Sequence, residues 1–386
     1  MSDLLRELTV DLKHKARQLG FSMAGVVAAR PGKRLDAYLE WIAQEMHGQM
    51  GYLARPDRLA RRQDLSVILP KVQTMLCVGL DYHTLRVPET IATDPSRGRI
   101  SNYAWGVDYH DVMTPRLQEL GEWLRETAVE RGLQTDIQSK VYVDTGAILE
   151  RDHAESAGLG FTGKNTMLIA PQHGSWFFLG ELLTTLPLVP DEPKQTLPTC
   201  GRCTRCLSAC PTNAFPQPYV LDARRCISYL SIELKGWIPR ELRPLMGNWI
   251  YGCDVCQSVC PFNRFAENWG EDGFQAAAWE TAVPPLLELL ALDEEGFKQR
   301  FANSPIKRIK YARFMRNVCV AAGNWKDKAA VRPLIDLLSR PEAIIRGHAV
   351  WALRQIQNDL GQQALARLQV QETDEQVLAE LNLSLK

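Results

Sequence analysis

The chain has 386 residues, 45% apolar and 23% charged, with 45 Lys and Arg set against 45 Asp and Glu. Such values exclude a disordered chain and leave material for two or three ordinary cores. A neutral total also removes any argument for nucleic acid from overall charge, so an RNA site would have to be a local patch. Charges at Asp3, Arg6, Glu7 and Asp11 do not read as a secretory leader, and no apolar run reaches the roughly 20 residues that span a bilayer. A cytoplasmic protein without a membrane partner is expected.

In chain order, Leu4, Leu5, Leu8, Leu12, Ala16 and Leu19 recur at helical spacing and predict an amphipathic helix over 2–19, closed by Gly20. Residues 21–28 read as a strand and 34–46 as a second helix ending before the turn glycines Gly48 and Gly51. A basic loop around Pro56 is expected over 55–64, and a buried strand over 72–80. Residues 100–110 are polar and aromatic and predict a loop. A long helix follows at 113–131, then a strand at 140–143, a short helix at 150–158, a strand at 167–170 and another at 176–183. Residues 187–198 form a proline-rich exit.

Gly158, Gly160 and Gly163 match G-x-G-x-x-G, and Lys164 completes most of a phosphate loop. A nucleotide loop must follow a strand and open a helix, whereas this one follows a helix and enters a strand. Asn165 also stands where the Mg²⁺-binding Ser or Thr would be. No nucleotide site is expected, although close approach to another flat or phosphate-bearing cofactor stays open.

Eight of the ten cysteines then fall between 200 and 260. Cys200, Cys203, Cys206 and Cys210 with Pro211 give C-x2-C-x2-C-x3-C-P. After a lone Cys226, the run Cys253, Cys256, Cys260 and Pro261 repeats its last three cysteines. In two-cluster bacterial ferredoxins the fourth cysteine of each run ligates the other cluster. That assigns Cys200, Cys203, Cys206 and Cys260 to one [4Fe–4S] cluster and Cys226, Cys253, Cys256 and Cys210 to the second. Structural zinc wants two separated pairs, and disulfides want an oxidising compartment; neither suits this spacing. Cys77 and Cys319 sit in apolar runs and read as buried small hydrophobes.

Beyond Pro261 the pattern is helical. Arg316–Gly323 and Arg346–Leu353 align at a 30-residue offset, with a weaker third copy near Glu375. Helical pairs of the HEAT type have this arithmetic, and a plain helical bundle is the bland alternative. Lys307, Arg308, Lys310, Arg313 and Arg316 form a basic run without an acid, which is either a solvated face or an RNA-backbone site. The expected organisation is an α/β domain over 1–195, a ferredoxin-like two-[4Fe–4S] domain over 196–265, and an all-α HEAT-like repeat domain over 266–386.

Several motifs agree in order with one family. Arg224-Arg225-Cys226-Ile227-Ser228-Tyr229-Leu230, Arg243 to Asn248, Tyr251-Gly252-Cys253-Asp254, and Val143-Asp144 with 158–165 together resemble epoxyqueuosine reductase. The resemblance covers nearly the whole chain, and that family resembles the cobalamin-dependent reductive dehalogenases. It implies reduction of epoxyqueuosine to queuosine at the tRNA wobble base. Cobalamin would sit in the N-terminal domain, fed by two [4Fe–4S] clusters, with tRNA held through its anticodon stem-loop.

By the same matching, Asp144 is the expected general acid, kept protonated by desolvation at the end of a buried strand. The plain alternative is an aspartate capping the next helix across Thr145 and Gly146. Asn165, Leu168 and Leu179 would line the corrin, with Ser228, Gly252 and Cys253 approaching from the cluster side. Arg62 and Tyr109 would meet the cobalamin tail, while Lys235, Arg240 and Arg243 would meet tRNA. Lacking a D-x-H-x-x-G motif, His110 and His153 read as ordinary polar or core residues. An external one-electron donor such as a flavodoxin or ferredoxin, and a monomeric state, complete the expectations. The competing readings are a dehalogenase-like reductase of a small molecule and a non-catalytic electron carrier.

Overall fold

Four apolar segments form one sheet: β1 (Met23–Ala28), β2 (Thr74–Asp81), β3 (Ser139–Tyr142) and β4 (Phe177–Thr184). The computed structural model describes residues 2–83, 86–133, 135–191, 199–266 and 271–382. The strands run in the order β1-β2-β4-β3, with every neighbouring pair antiparallel. The N-terminal unit therefore mixes helices and strands as expected, but without parallel crossovers. β2 is buried along its whole length, which explains its unbroken apolar sequence.

Of the helices α1 (Ser2–Gln18), α2 (Leu35–Ala43), α3 (Pro56–Gln63), α4 (Tyr109–Glu130) and α5 (Glu150–Ser156), α1, α4 and α5 pack against this sheet. On one face Leu76, Val78 and Leu182 meet Leu8, Leu12, Leu117 and Leu120 of α1 and α4. On the other face Met75, Cys77 and Leu183 meet Ile148, Ala154 and Ala157. The two faces follow from the period-2 alternation of strand side chains.

Two elements differ from expectation. The basic segment at 55–64 is not a loop but α3, with Pro56 in its first turn, Asp57 beside it and Arg61 and Arg62 in its last turn. These are the end signals that favour a helix. The long helix begins at Tyr109 rather than 113, because the Asp108 side chain caps it by accepting the His110 N–H at 3.2 Å. That extra turn lifts Tyr109 out of the expected loop and fixes its direction.

The cysteine segment has little regular structure. Helices α6 (Arg205–Ala209), α7 (Ile227–Ile232) and α8 (Val255–Ser258) each begin within two residues of a cysteine. A short parallel pairing of Arg99–Ile100 with Trp249–Tyr251 ties the segment to the N-terminal half. The expected boundary at 195/196 and the last part of the exit, 192–198, lie outside the described residues.

The C-terminal region is helical: α9 (Lys310–Trp325), α10 (Val331–Leu337), α11 (Ala343–Ile356), α12 (Asp359–Gln371) and α13 (Glu375–Leu381). The two aligned copies lie on α9 and α11, which touch closely. A Cβ on Gly323 would stand 2.5 Å from the Trp351 ring and 2.9 Å from the Ala352 Cα. One apolar core runs from Ile227, Leu230 and Tyr251 into Val318, Ala322 and Ala349, across residue 265. Cys77 and Cys319 are fully buried. No helix among the described residues is long and apolar enough to cross a membrane.

Candidate active site

A cavity of about 460 Å³ opens between β4, the cysteine segment and the turn before α9. Its wall includes Tyr109, Asp144, Asn165, Leu168, Leu179, Ser228 and Cys253, residues brought together from six separate stretches of chain.

Asp144 follows β3 in the left-handed region, at φ +57, a conformation that Asp tolerates better than most residues. Its Oδ2 accepts the Tyr109 hydroxyl at 2.9 Å. The Tyr109 ring is clamped against Phe178, 4.2 Å away and 10° from parallel, and against His110 at 4.2 Å. Burial first, then the neighbouring Asp144, holds the Tyr109 phenol far above its ordinary range, so it remains a fixed donor. The desolvation expected for Asp144 itself is not there. It is exposed at the cavity mouth, because β3 is an edge strand with little cover. Nor does it cap α5, whose first flanking residue is Leu149.

Two carboxyls that the motifs did not single out stand behind it. Glu150, at the start of α5, lines the same cavity, and its Oε1 is buried without a partner. Burial first, then Asp144, pushes its carboxyl up to about 8. Glu181, on β4 opposite Cys77 and Tyr142, is fully buried with neither oxygen partnered. Burial, then Glu150 and Asp144, raises it well above the carboxylate range. A lone acid inside Phe-Phe-Leu-Gly-Glu-Leu-Leu was the available signal. Glu181→Met should therefore stabilise the fold by about 1–3 kcal/mol, since it removes an unpaired buried polar group of similar size. A denaturant midpoint lower than that of the unsubstituted chain would contradict this.

The eight clustered cysteines stand near two cavities. Cys200, Cys203, Cys206 and Cys260 bound a narrow cavity of about 30 Å³. Cys226, Cys253 and Cys256 stand on the wall of the larger cavity, and Cys210 accepts the Ala214 N–H at 3.3 Å nearby. Burial, supplemented by neighbouring sulfurs that include Cys210, holds Cys226 and Cys256 above the ordinary thiol range. All ten cysteines are free of disulfides. Among the described residues no three His, Cys, Asp or Glu converge on one mononuclear site. Two quartets of thiols, each spread around a space, fit a cubane better than a single zinc.

The glycine-rich loop bridges both quartets. Lys164 Nζ donates to the Gly201 and Cys203 carbonyls at 2.7 and 3.0 Å, and its N–H reaches Cys200 Sγ at 3.4 Å. Asn165 donates to the Cys256 carbonyl at 3.3 Å. Gly160 is needed because a Cβ there would meet the Ile169 oxygen at 2.4 Å in the small hairpin that follows.

Three expected contacts are corrected. Arg62 is buried, stacks on Tyr38 at 4.8 Å and does not belong to the cavity wall. Gly252 has φ +68, and its missing Cβ makes room for Ser101 at 2.4 Å rather than for a macrocycle. Arg243 is 1% exposed, lies over Trp351 and pairs with Glu380 at 2.8 Å, a position from which it reaches no phosphate. Arg243→Ala should cost up to about 3–5 kcal/mol by leaving the buried Glu380 carboxyl with only the exposed Arg240, a loss readable in denaturant unfolding. A loss of RNA affinity without any loss of stability would contradict that account. Arg240 is exposed and shares Glu380 at 3.0 Å; Lys235 is exposed.

Two of the five residues of the basic run are structural as well. Arg316 is fully buried and donates to the carbonyls of Leu230, Leu234 and Gly236, and Arg313 donates to that of Ile232. Arg308 does reach the cavity, where it pairs with Glu233 at 2.6 Å.

A family model described as "4Fe-4S double cluster binding domain" matches residues 199–263. Another, "Epoxyqueuosine reductase QueG, DUF1730", matches 62–145. The epoxyqueuosine reductase of Escherichia coli (strain K12) is 37% identical over 352 residues, covering 91% of this chain and 90% of its own. That of Pseudomonas aeruginosa is 40% identical over 355 residues, covering 90% and 94%. A solved epoxyqueuosine reductase with a tRNA-Tyr epoxyqueuosine-modified tRNA stem loop superimposes with TM-score 0.84 at 32% identity, over 97% of each chain.

Proposed function

Since the chain belongs to the epoxyqueuosine reductase family, we infer that it reduces epoxyqueuosine to queuosine at the tRNA wobble position, the last step of queuosine biosynthesis. The observation that carries the reading is one cavity holding the Tyr109–Asp144 pair at its mouth and Cys226, Cys253 and Cys256 on its wall. Removing an epoxide oxygen as water consumes two electrons and two protons. Two [4Fe–4S] clusters pass electrons singly, and the double-cluster match spans all eight ligating cysteines.

The residues present also fit cobalamin. Phe177, Phe178 and Leu179 of β4 supply an apolar wall, and Asn165, Leu168 and Ser228 add small and polar groups beside the second quartet of thiols. When bound there, cobalamin would supply a metal centre able to collect electrons arriving one at a time. The chain's own residues do the rest. Asp144 presents its carboxyl to the reacting oxygen as the group through which a proton is delivered, and the Tyr109 hydroxyl fixes where that carboxyl points. Arg308, held by Glu233, places a guanidinium at the cavity wall for the RNA backbone.

Exposed Lys235 and Arg240 remain proposed tRNA contacts, and the C-terminal helical pairs are read as HEAT-like repeats that help hold the anticodon stem-loop. The division into three domains, a cytoplasmic monomer, and an external flavodoxin- or ferredoxin-type donor belong to the same proposal. The small-molecule reductase is disfavoured by the relatives named above, one of which is solved with a modified stem loop.

The test uses anaerobically purified, cluster-loaded protein with cobalamin, a reductant and an epoxyqueuosine-containing stem-loop. Mass spectrometry of the released nucleoside should register loss of one oxygen. An unchanged nucleoside despite tight stem-loop binding would overturn the reading.

A further inference from the structure

Deoxygenation consumes two protons, and the reading above offers one group, Asp144, to deliver them. Asp144 is exposed at the mouth, where a nucleotide seated in the cavity would cover it and separate it from solvent. The second proton must then come from inside the closed site.

Glu150 stands where such a donor is needed. It lines the same cavity, the Asp144 backbone N–H is directed at its carboxyl, and its Oε1 is buried with no partner. Glu181 sits behind it, fully buried, with neither oxygen partnered. The other ionisable groups facing Glu150 are Arg151, Arg62, the Tyr109 phenol and the buried Cys77 thiol. Neither arginine forms an ion pair with it. Arg151 donates to the Thr166 carbonyl at 2.9 Å, and Arg62 stacks on Tyr38 and donates to the Arg58 carbonyl. A carboxyl with no cation bound to it and a second carboxyl behind it is poorly placed to ionise.

We propose that Glu150 is the proton store of this site, reloading Asp144 while the nucleotide is seated so that both protons come from within the cavity. The proposal rests on the function inferred above. The step balances as follows. Both epoxide C–O bonds break and a C=C bond forms. The oxygen takes a first proton from Asp144, Glu150 passes its own proton to Asp144, and Asp144 delivers it as the second. The oxygen leaves as water, and the two electrons come from the external donor through the clusters. Asp144 and Glu150 end as carboxylates and regain protons from solvent once the product departs.

Glu150→Gln keeps the shape of the side chain and removes the transferable proton; Glu150→Asp keeps the acid. The first readout is the infrared carbonyl band of a protonated carboxyl, taken without stem-loop. One component of it should fade as pH rises through about 8 and be missing from E150Q, while a second component, from buried Glu181, persists in both. The second is single-turnover reduction of the epoxyqueuosine stem-loop. The unsubstituted chain should slow as pH passes that same point. E150Q should be about 100-fold slower at neutral pH, without that limb, while iron content and stem-loop affinity stay unchanged; E150D should recover part of the rate. An E150Q variant with the native rate and the native pH limb overturns the proton store and leaves the functional reading standing. An unsubstituted chain that binds stem-loop but never reduces it removes both, whatever the infrared band does.

Discussion

Asp144→Ala should lower epoxide reduction by at least about 100-fold while both clusters, the cavity and stem-loop binding persist. The argument is geometric. Asp144 presents a carboxyl at the mouth, and the clamped Tyr109 hydroxyl donates to it at 2.9 Å. Alanine removes the carboxyl that accepts the Tyr109 hydroxyl. The cost to the fold should be small, because Asp144 is exposed and contributes no core contact. A methyl side chain at φ +57 adds about 1 kcal/mol of backbone strain. Asp144→Asn is the cleaner partner variant, since it preserves the turn and the Tyr109 contact but cannot deliver a carboxyl proton. Iron content, stem-loop affinity and single-turnover product should be measured together. Turnover near the native rate in either variant would remove Asp144 from the chemistry.

The second large effect concerns the crossing of the two cysteine runs. Cys253→Ser should abolish turnover and lower iron from about eight to about four atoms per chain, because one of two cubanes loses a ligand. Cys260→Ser, only seven positions further on, should remove the other cluster. Cys260 bounds the narrow cavity with Cys200, Cys203 and Cys206, whereas Cys253 faces Cys226 and Cys256 on the wall of the large one. Electron paramagnetic resonance of the two reduced variants should therefore show different residual clusters. The same residual signal from both would mean that each run ligates its own cluster and that the crossed pairing is wrong.

These two predictions differ in how much of their basis was legible beforehand. The crossed ligand sets could be written from spacing, since two- and three-residue gaps leave a short loop few ways to turn its thiols onto one cube. Repeats at a 30-residue offset likewise announced α9 and α11, whose close contact at Gly323 depends on a small residue. The helix ends of α3 were also written in Pro56, Asp57, Arg61 and Arg62, but the basic composition disguised them as a loop.

The environment of Asp144 was not legible. A strand of four residues reads the same whether it lies at the centre of a sheet or, as β3 does, at its edge. Glu150 and Glu181 meet only because α5 packs across β4, and the meeting changes what both carboxyls can do.

Residue types and their near-neighbour spacing thus predicted two iron–sulfur clusters and the C-terminal helices, and the ordered motifs carried the resemblance to the family. Folding settled which charges face the cavity, because desolvation depends on partners from distant parts of the chain. Arg243 illustrates this: its counter-ion, Glu380, comes from 137 residues away and its cover, Trp351, from another helix, and no local pattern distinguishes it from exposed Arg240.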